Sequence, residues 1–363
     1  MAGDRMLALL TRLDGALGIS GFEEDVAAIV RDELADVASS HLADALGNQL
    51  FTLAGPEGAP VLMLCAHMDE LGFLVQHIED GGFVRLAPVG YHDARMVTDQ
   101  VLRIEGEHGP VLGVVGTKPA HVVSAEELAR AFPLRELFLD LGTFSRDESE
   151  ALGVRVGQPI TFVREGGLLN DTRVFTGKAV DDRAGCAVLI EALRRLALDP
   201  PPCTVVAVAS VQEEVGLRGA GPAAARIAPD VAIAIDVTLA GDTPATEFRD
   251  LPIRLGGGPA IKYFDWVPDS GIGSSVPRHL TRRLEQAADA AGVPWQREVL
   301  LGGATDAGSI ALAGTGVLTG CVSLPSRHIH SAVGVVHLGD LEHAVDLLVR
   351  FAHELDAPIA ARA

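Results

Sequence analysis

The chain has 363 residues, 48% hydrophobic and 21% charged, which is enough apolar material for a sizeable core and argues against wholesale disorder. A formal net charge of −20 repels phosphate backbones and anionic lipid surfaces, so neither nucleic acid nor a membrane is the expected partner. Four cysteines (Cys65, Cys186, Cys203, Cys321) stand singly in apolar runs, as buried thiols do in a reducing compartment, and no apolar stretch reaches spanning length; a cytoplasmic location is expected.

In chain order, Met6–Leu17 predicts a short helix, and Ser20-Gly-Phe-Glu23 reads as a capping box for the next one. That helix carries Val26, Ile29, Val30, Leu34 and Val37 at three- and four-residue spacing, one apolar stripe for a core. Asp44-Ala-Leu-Gly-Asn48 is turn chemistry. Pro60–Ala66 is a continuous apolar run, as expected of a strand covered on both faces in a mostly parallel sheet.

The character then changes. From about Gly72 to Arg173, glycine turns at Asp80-Gly-Gly82, Gly106-Glu-His-Gly109, Gly157-Gln-Pro159 and Gly166-Gly167 separate short Val/Leu/Ile/Phe runs. This predicts a small β-barrel, with one helix capped at Ser124-Ala-Glu-Glu127. Helix–strand alternation resumes with Arg183–Leu198, Cys203–Val211, Ala220–Ile227 and Val231–Ile235. Pro277–Ala291 is a further helix closed by Gly292, Gly316–Leu324 a strand, and Leu341–Leu355 a closing amphipathic helix. The expected class is α/β: a central, mostly parallel sheet sandwiched by helices, with an inserted small β-barrel. Residues 1–71 and 174–363 form the two parts of the α/β domain in this reading, and 72–173 the insert.

In an open α/β sheet, functional groups gather beyond the carboxyl ends of the strands. Here Cys65-Ala66 runs into His67-Met-Asp69, Ser210-Val211 into Gln212-Glu213-Glu214, Ala234-Ile235 into Asp236, and the last strand into Pro325-Ser-Arg-His-Ile-His330. Asp181-Asp182 opens the helix that starts at Arg183. Singly, each has an ordinary reading: a satisfied histidine, a solvated glutamate pair, acids at the positive end of a helix. Jointly they put several carboxylates in one cleft, where each raises the pKa of the others unless cations sit among them. Histidine and carboxylate donors suit zinc, cobalt or manganese. In an extended segment His67 and Asp69 point the same way, so Asp69 can hold the imidazole ring. Glu213 and Glu214 diverge, so one can bind a metal while the other faces a substrate as a base. A glycosidase reading fits less well, because its two carboxyls must flank a sugar bond about 5–9.5 Å apart and the histidines would have no task. A structural shell protein with a relic site is a third reading, but nothing at the matching positions is missing.

These residues resemble a known family, the tetrahedral aminopeptidases, a branch of the co-catalytic metallopeptidases that includes glutamyl and deblocking aminopeptidases. The resemblance runs nearly end to end through Ala66-His-Met-Asp-Glu-Leu-Gly-Phe73, Lys178-Ala-Val-Asp-Asp-Arg-Ala-Gly185, Val211-Gln-Glu-Glu-Val-Gly-Leu-Arg-Gly-Ala220, Ala234-Ile-Asp-Val-Thr238, Gly303-Ala-Thr-Asp-Ala-Gly308 and Pro325-Ser-Arg-His-Ile-His-Ser331. It implies two divalent metal ions per subunit, zinc or cobalt with manganese as a further candidate, with His67 and Asp236 on one and Glu214 and His330 on the other. Asp181 would bridge them, Glu213 would be the general base, and Asp69 would orient His67. It also implies short peptides as substrates, a cis Asp181–Asp182 bond, and a homo-oligomer in which barrel-linked dimers build a dodecamer. His328 departs from the family's usual tyrosine and reads as a pocket or packing residue. Phe264–Ser275 matches less closely, and Lys262 and Arg278 are candidate basic groups for a pocket taking an acidic side chain.

Overall fold

The computed structural model describes residues 2–129 and 132–359. Twelve of its strands form one large sheet, and six others close into a barrel. At the centre of the sheet lie Thr204–Ser210, Val61–His67, Val231–Leu239 and Thr319–Arg327, adjacent in that order and all parallel. Antiparallel strands extend both sides: Gln49–Leu53 and Ser40–Ala43 on one, Gly334–His337, Val174–Gly177 and Gly167–Leu168 on the other. The turn between Ser40–Ala43 and Gln49–Leu53 is the Asp44–Asn48 segment: Asp44 Oδ1 accepts from the backbone N of Leu46, Gly47 and Asn48, and Gly47 takes φ +105°.

Side-chain alternation along the central strands decides the layers. Leu62, Leu64 and Ala66, with Val205, Ala207 and Ala209, face one core, together with the helices Ala2–Gly15, Val180–Leu198, Arg278–Ala291 and Leu338–His353. Met63, Cys65, Val206 and Val208 face the opposite core with Ala220–Ile227 and Ala307–Ala311. Each fully buried Leu, Val or Ile contributes about 1.5–3 kcal/mol, against about 0–1 kcal/mol for a surface ion pair. The sandwich therefore holds the fold, and the acidic surface does not. All four cysteines are buried and free, consistent with their apolar contexts.

The barrel strands Gly72–Ile78, Val84–Val89, Val101–Gly106, Gly109–Gly116, Phe138–Asp140 and Pro159–Phe162 close around Phe73, Val75, Leu86, Leu102, Ile104 and Ile160. The helix Ala125–Leu128 carries the expected capping box between Ser124 and Glu127. Among the described residues, no helix is long and apolar enough to cross a membrane.

Two local expectations fail. The Ser20–Glu23 box does not cap the helix Glu24–Leu34, since Glu23 itself occupies the N-cap position and makes no side-chain cap bond. Ser20 lies too far upstream to reach the first-turn amides, and its hydroxyl donates to Asp69 Oδ2 at 2.6 Å. Asp236 is also not at a strand end, because its strand continues to Leu239 by pairing with Thr319–Arg327. Pairing with the His67 strand stops earlier, at Ala234 and Cys65, so Asp236 and His67 stand where the two strands part.

Candidate metal centre

His67 closes its strand and is 2% exposed. Its Nδ1 lies 3.1 Å from the Asp69 carbonyl and 3.4 Å from Asp69 Oδ1. With the Nδ1 proton directed at Asp69, the Nε2 lone pair faces a set of acids. Nε2 is 3.1 Å from Asp181 Oδ1 and 3.8 Å from Asp236 Oδ1. On the other side His330 Nε2 is 3.4 Å from Asp181 Oδ2 and 3.7 Å from Glu214 Oε2. The two oxygens of Asp181 thus reach two different imidazoles.

Asp181 reaches this position from a non-helical lead-in to the helix that runs on to Leu198, and the Asp181–Asp182 peptide bond is cis. Asp182 is buried with Oδ1 accepting from Gly185 N at 2.9 Å. Gly185 is required there, because a Cβ would stand 2.2 Å from that carboxylate. His330 lies in a turn where His328 and His330 both take left-handed φ, +59° and +60°. Ser331 Oγ donates to the His328 carbonyl at 2.6 Å and holds the turn. His328 is exposed, so it does not pack in the interior of the subunit, and it is not among the residues lining the cleft of Asp181, Glu214 and His330.

Among the described residues, two groups present ligand atoms mutually within 4.8 Å: His67, Asp182 and Asp236, and Asp181, Glu214 and His330. Asp182 joins the first group by proximity, but its Oδ1 is already engaged by Gly185, whereas Asp181 Oδ1 is at hydrogen-bond distance from His67. Glu213 belongs to neither group. Its backbone N and that of Glu214 donate to Asp69 at 2.9 and 3.1 Å, so Asp69 holds both the ring and the glutamate loop.

The electrostatics are those of crowded acids. Burial, with the charge of Asp181 adding, pushes Glu214 up to about 8. Burial also drives Glu213 well above the carboxylate range; the charge of His67 opposes this, and those of Asp236, Glu214 and Asp306 add to it. Asp182 and Asp236 are raised for the same first reason. Burial would depress His330, yet its hydrogen bond to Asp181 and the charge of Glu214 raise it to about 9. Asp181 is held low despite its burial, because both imidazoles face it.

Several contributors carry no role in the sequence reading. Asp306 lies beneath the cluster, accepts from Ser210 Oγ at 2.6 Å, and is pushed up to about 7 by burial. Its only signal in the sequence is membership of the Gly303–Gly308 motif. Tyr91, on a barrel loop, is 77% exposed with its ring 6.3 Å from that of His330. Lys262 does not offer a free charge to a substrate: it is fully buried, 3.4 Å from Glu298 and 3.9 Å from Asp265. Arg278 is exposed at the start of its helix.

Comparison with known proteins identifies the family. A lysyl aminopeptidase of Pyrococcus furiosus is 32% identical over 350 residues, 96% of this chain and 96% of that protein. The solved structure of aminopeptidase APDkam598 from the archaeon Desulfurococcus kamchatkensis matches with a TM-score of 0.92 at 38% identity, covering 98% of this chain and 96% of that one. The TET1 peptidase of Pyrococcus horikoshii, described as assembling into a tetrahedron or a large octahedral shell, matches with a TM-score of 0.84 at 32% identity, covering 96% of this chain and 100% of that one. Residues 47–347 fit the pattern of the M42 glutamyl aminopeptidases, and relatives match it along nearly its whole length, so the chain belongs to that family and is a peptide hydrolase acting at N-termini.

Proposed function

We propose that this aminopeptidase works with two divalent cations. His67 and Asp236 would hold one, Glu214 and His330 the other, and Asp181 would lie between them. Glu213 would be the general base, with Asp69 as the positioning residue for His67. The observation that carries the reading is the double reach of Asp181, 3.1 Å to one imidazole and 3.4 Å to the other. The residues fit cations chemically: Glu214 Oε1 is buried without a hydrogen-bond partner, among acids that burial alone would neutralise. Their nitrogen and oxygen donors suit zinc, cobalt or manganese. When bound, such cations supply Lewis acidity, making a nearby water more acidic and polarising a carbonyl oxygen.

The chain's own groups do the rest. Glu213 is buried and its backbone is fixed by Asp69, so its carboxylate is held in one place to take a proton from the attacking water once neighbouring cations favour its charged form. The same carboxyl then passes the proton to the leaving amine. A free α-ammonium on the substrate is attracted by the acidic cleft, which restricts cleavage to the chain end. An aminoacyl-arylamide should therefore be hydrolysed and its N-acetylated counterpart left intact; equal cleavage of both would contradict the reading.

pH and metal should act on stability together. Glu214 and Asp306 are raised from 4.5 to about 8 and from 3.8 to about 7, and His330 from 6.5 to about 9. A raised group stabilises the fold fully below its unfolded value, and that contribution is lost as pH rises through the folded value. Asp181 is lowered, so its contribution is complete above 3.8 and constant in this window. Chelated protein is thus expected to melt several degrees lower at about pH 9 than at about pH 5, with a smaller drop after zinc addition. Thermal melts measure this, and a chelated protein more stable at the alkaline end would contradict it.

Residues 72–173 would form an inserted dimerisation unit between 1–71 and 174–363. Val101, Leu112 and Val114 are exposed on its barrel strands and offer apolar surface for a second copy. Dimers would build a dodecamer, in keeping with a Pyrococcus horikoshii relative described as assembling into a tetrahedron or a large octahedral shell; a monomer in sedimentation analysis would count against both.

A further inference from the structure

The segment Ala16–Glu23 precedes the span 47–347 that carries the family match, and its sequence suggests only a helix cap. Its side chains and carbonyls instead reach three of the five segments that deliver a group to the site, those of His67–Asp69, Asp181 and Glu213–Glu214. Ser20 Oγ donates to Asp69 Oδ2 at 2.6 Å, and Asp69 accepts the backbone N of Glu213 and Glu214. Glu23 Oε1 accepts the backbone N of Gln212 at 3.1 Å and of Gly21 at 2.8 Å. Three consecutive amides, those of Gln212, Glu213 and Glu214, are therefore gathered by two buried carboxylates. Gln212 takes a left-handed φ of +56°, which curves the run of N–H groups around anions, and here the anions are the protein's own.

The same loop also holds the segments of His67–Asp69 and Asp181. Glu70 N donates to the Gly18 carbonyl at 2.8 Å, and Ile19 pairs with Glu70 as a parallel bridge. Arg183 Nη2 donates to the Gly18 carbonyl at 3.2 Å, and Lys178 Nζ to the Ala16 carbonyl at 3.1 Å. Lys178 and Arg183 bracket Asp181 in sequence, and both lie beside Glu70. One short loop thus ties together the Asp181 turn, the His67–Asp69 strand end and the Glu213–Glu214 loop.

We infer that residues 16–23 are a positioning element of the reaction, with Ser20 and Glu23 as the two side chains through which it sets the backbone of Glu213 and Glu214. The inference rests on Glu213 being the base. A shift of about 1 Å in a reacting group can cost about 100-fold in rate, and loss of a partner behind a site residue costs about 10–100-fold. Neither side chain lies in the groups of candidate ligands, so metal binding and substrate affinity should survive.

The test uses full-length protein reconstituted with cobalt, an aminoacyl-arylamide substrate, and four variants: Ser20→Ala, Ser20→Thr, Glu23→Ala and Glu23→Gln, with Glu213→Gln as control. Ser20→Ala and Glu23→Ala are expected to lower kcat by about 10–100-fold with KM and bound metal unchanged. Ser20→Thr and Glu23→Gln keep the hydroxyl donor and the acceptor oxygen, and should recover most of that loss. Full metal content with wild-type kcat in both alanine variants would overturn the proposal, as would a loss that tracks the melting temperature and is not recovered by Thr or Gln. If Ser20→Ala does not fold, the Glu23 pair decides by itself. An active Glu213→Gln would mean the base reading has failed; an inactive one beside normal alanine variants would mean the positioning role alone has failed.

Discussion

Glu213→Gln protein is expected to bind as much metal as wild type and to turn over peptide about 10²–10⁴-fold more slowly, with little change in KM. Glutamine keeps the size of the side chain and leaves the backbone bond from residue 213 to Asp69 intact, so the loop should hold its course. What disappears is a group able to take a proton from water and return it to the leaving amine. Metal content should be insensitive because Glu213 belongs to neither cluster of candidate ligands, whereas Glu214 sits 3.7 Å from His330 within one of them. Glu214→Gln is therefore the informative partner: it should lose metal where Glu213→Gln does not. Turnover assays paired with elemental analysis read both, and the reverse pattern would mean that the two glutamates have exchanged roles.

Asp181→Ala should be more damaging still. Its two oxygens face His67 and His330, so one substitution removes a partner from both halves of the site. Removing an outer partner of a ligand costs about 10–100-fold in metal affinity, and removing a shared ligand should exceed that at both positions. The variant also leaves Glu214, Asp236 and Asp182 buried with less cationic compensation, so it should be metal-poor and inactive under conditions that saturate wild type. Asp181→Asn retains the shape without the charge and should fall between the two.

The sheet was largely legible in the sequence because its central strands are covered on both faces. Runs such as Pro60–Ala66 are short and apolar without interruption, which fits a strand held between two layers of helices far better than an element with one wet face. Chemistry was legible for a related reason: parallel strands deliver their ends to one side, so a histidine or acid following each run falls in one place. What escaped was set by distant partners. Ser20 and Glu23 have the local spacing of a cap, yet Asp69 and Gln212, far along the chain, take their side chains. Lys262 is a free basic group on sequence alone, whereas in the fold Glu298, on a neighbouring strand, stands beside it. Asp236 reads as a strand end because periodicity cannot reveal that one neighbour outlasts another. Between His328 and His330 the sequence offers no physical ground for choice; two left-handed residues in one turn send a single ring into the cleft.

The most direct measurement is turnover against metal equivalents per chain, starting from chelated protein and running wild type beside Asp181→Ala. Wild type should be inactive without metal and reach its plateau at two ions per chain, while the variant neither retains two ions nor recovers turnover. Full turnover of wild type with no ion bound, or an Asp181→Ala protein that holds two ions and works normally, would contradict the account.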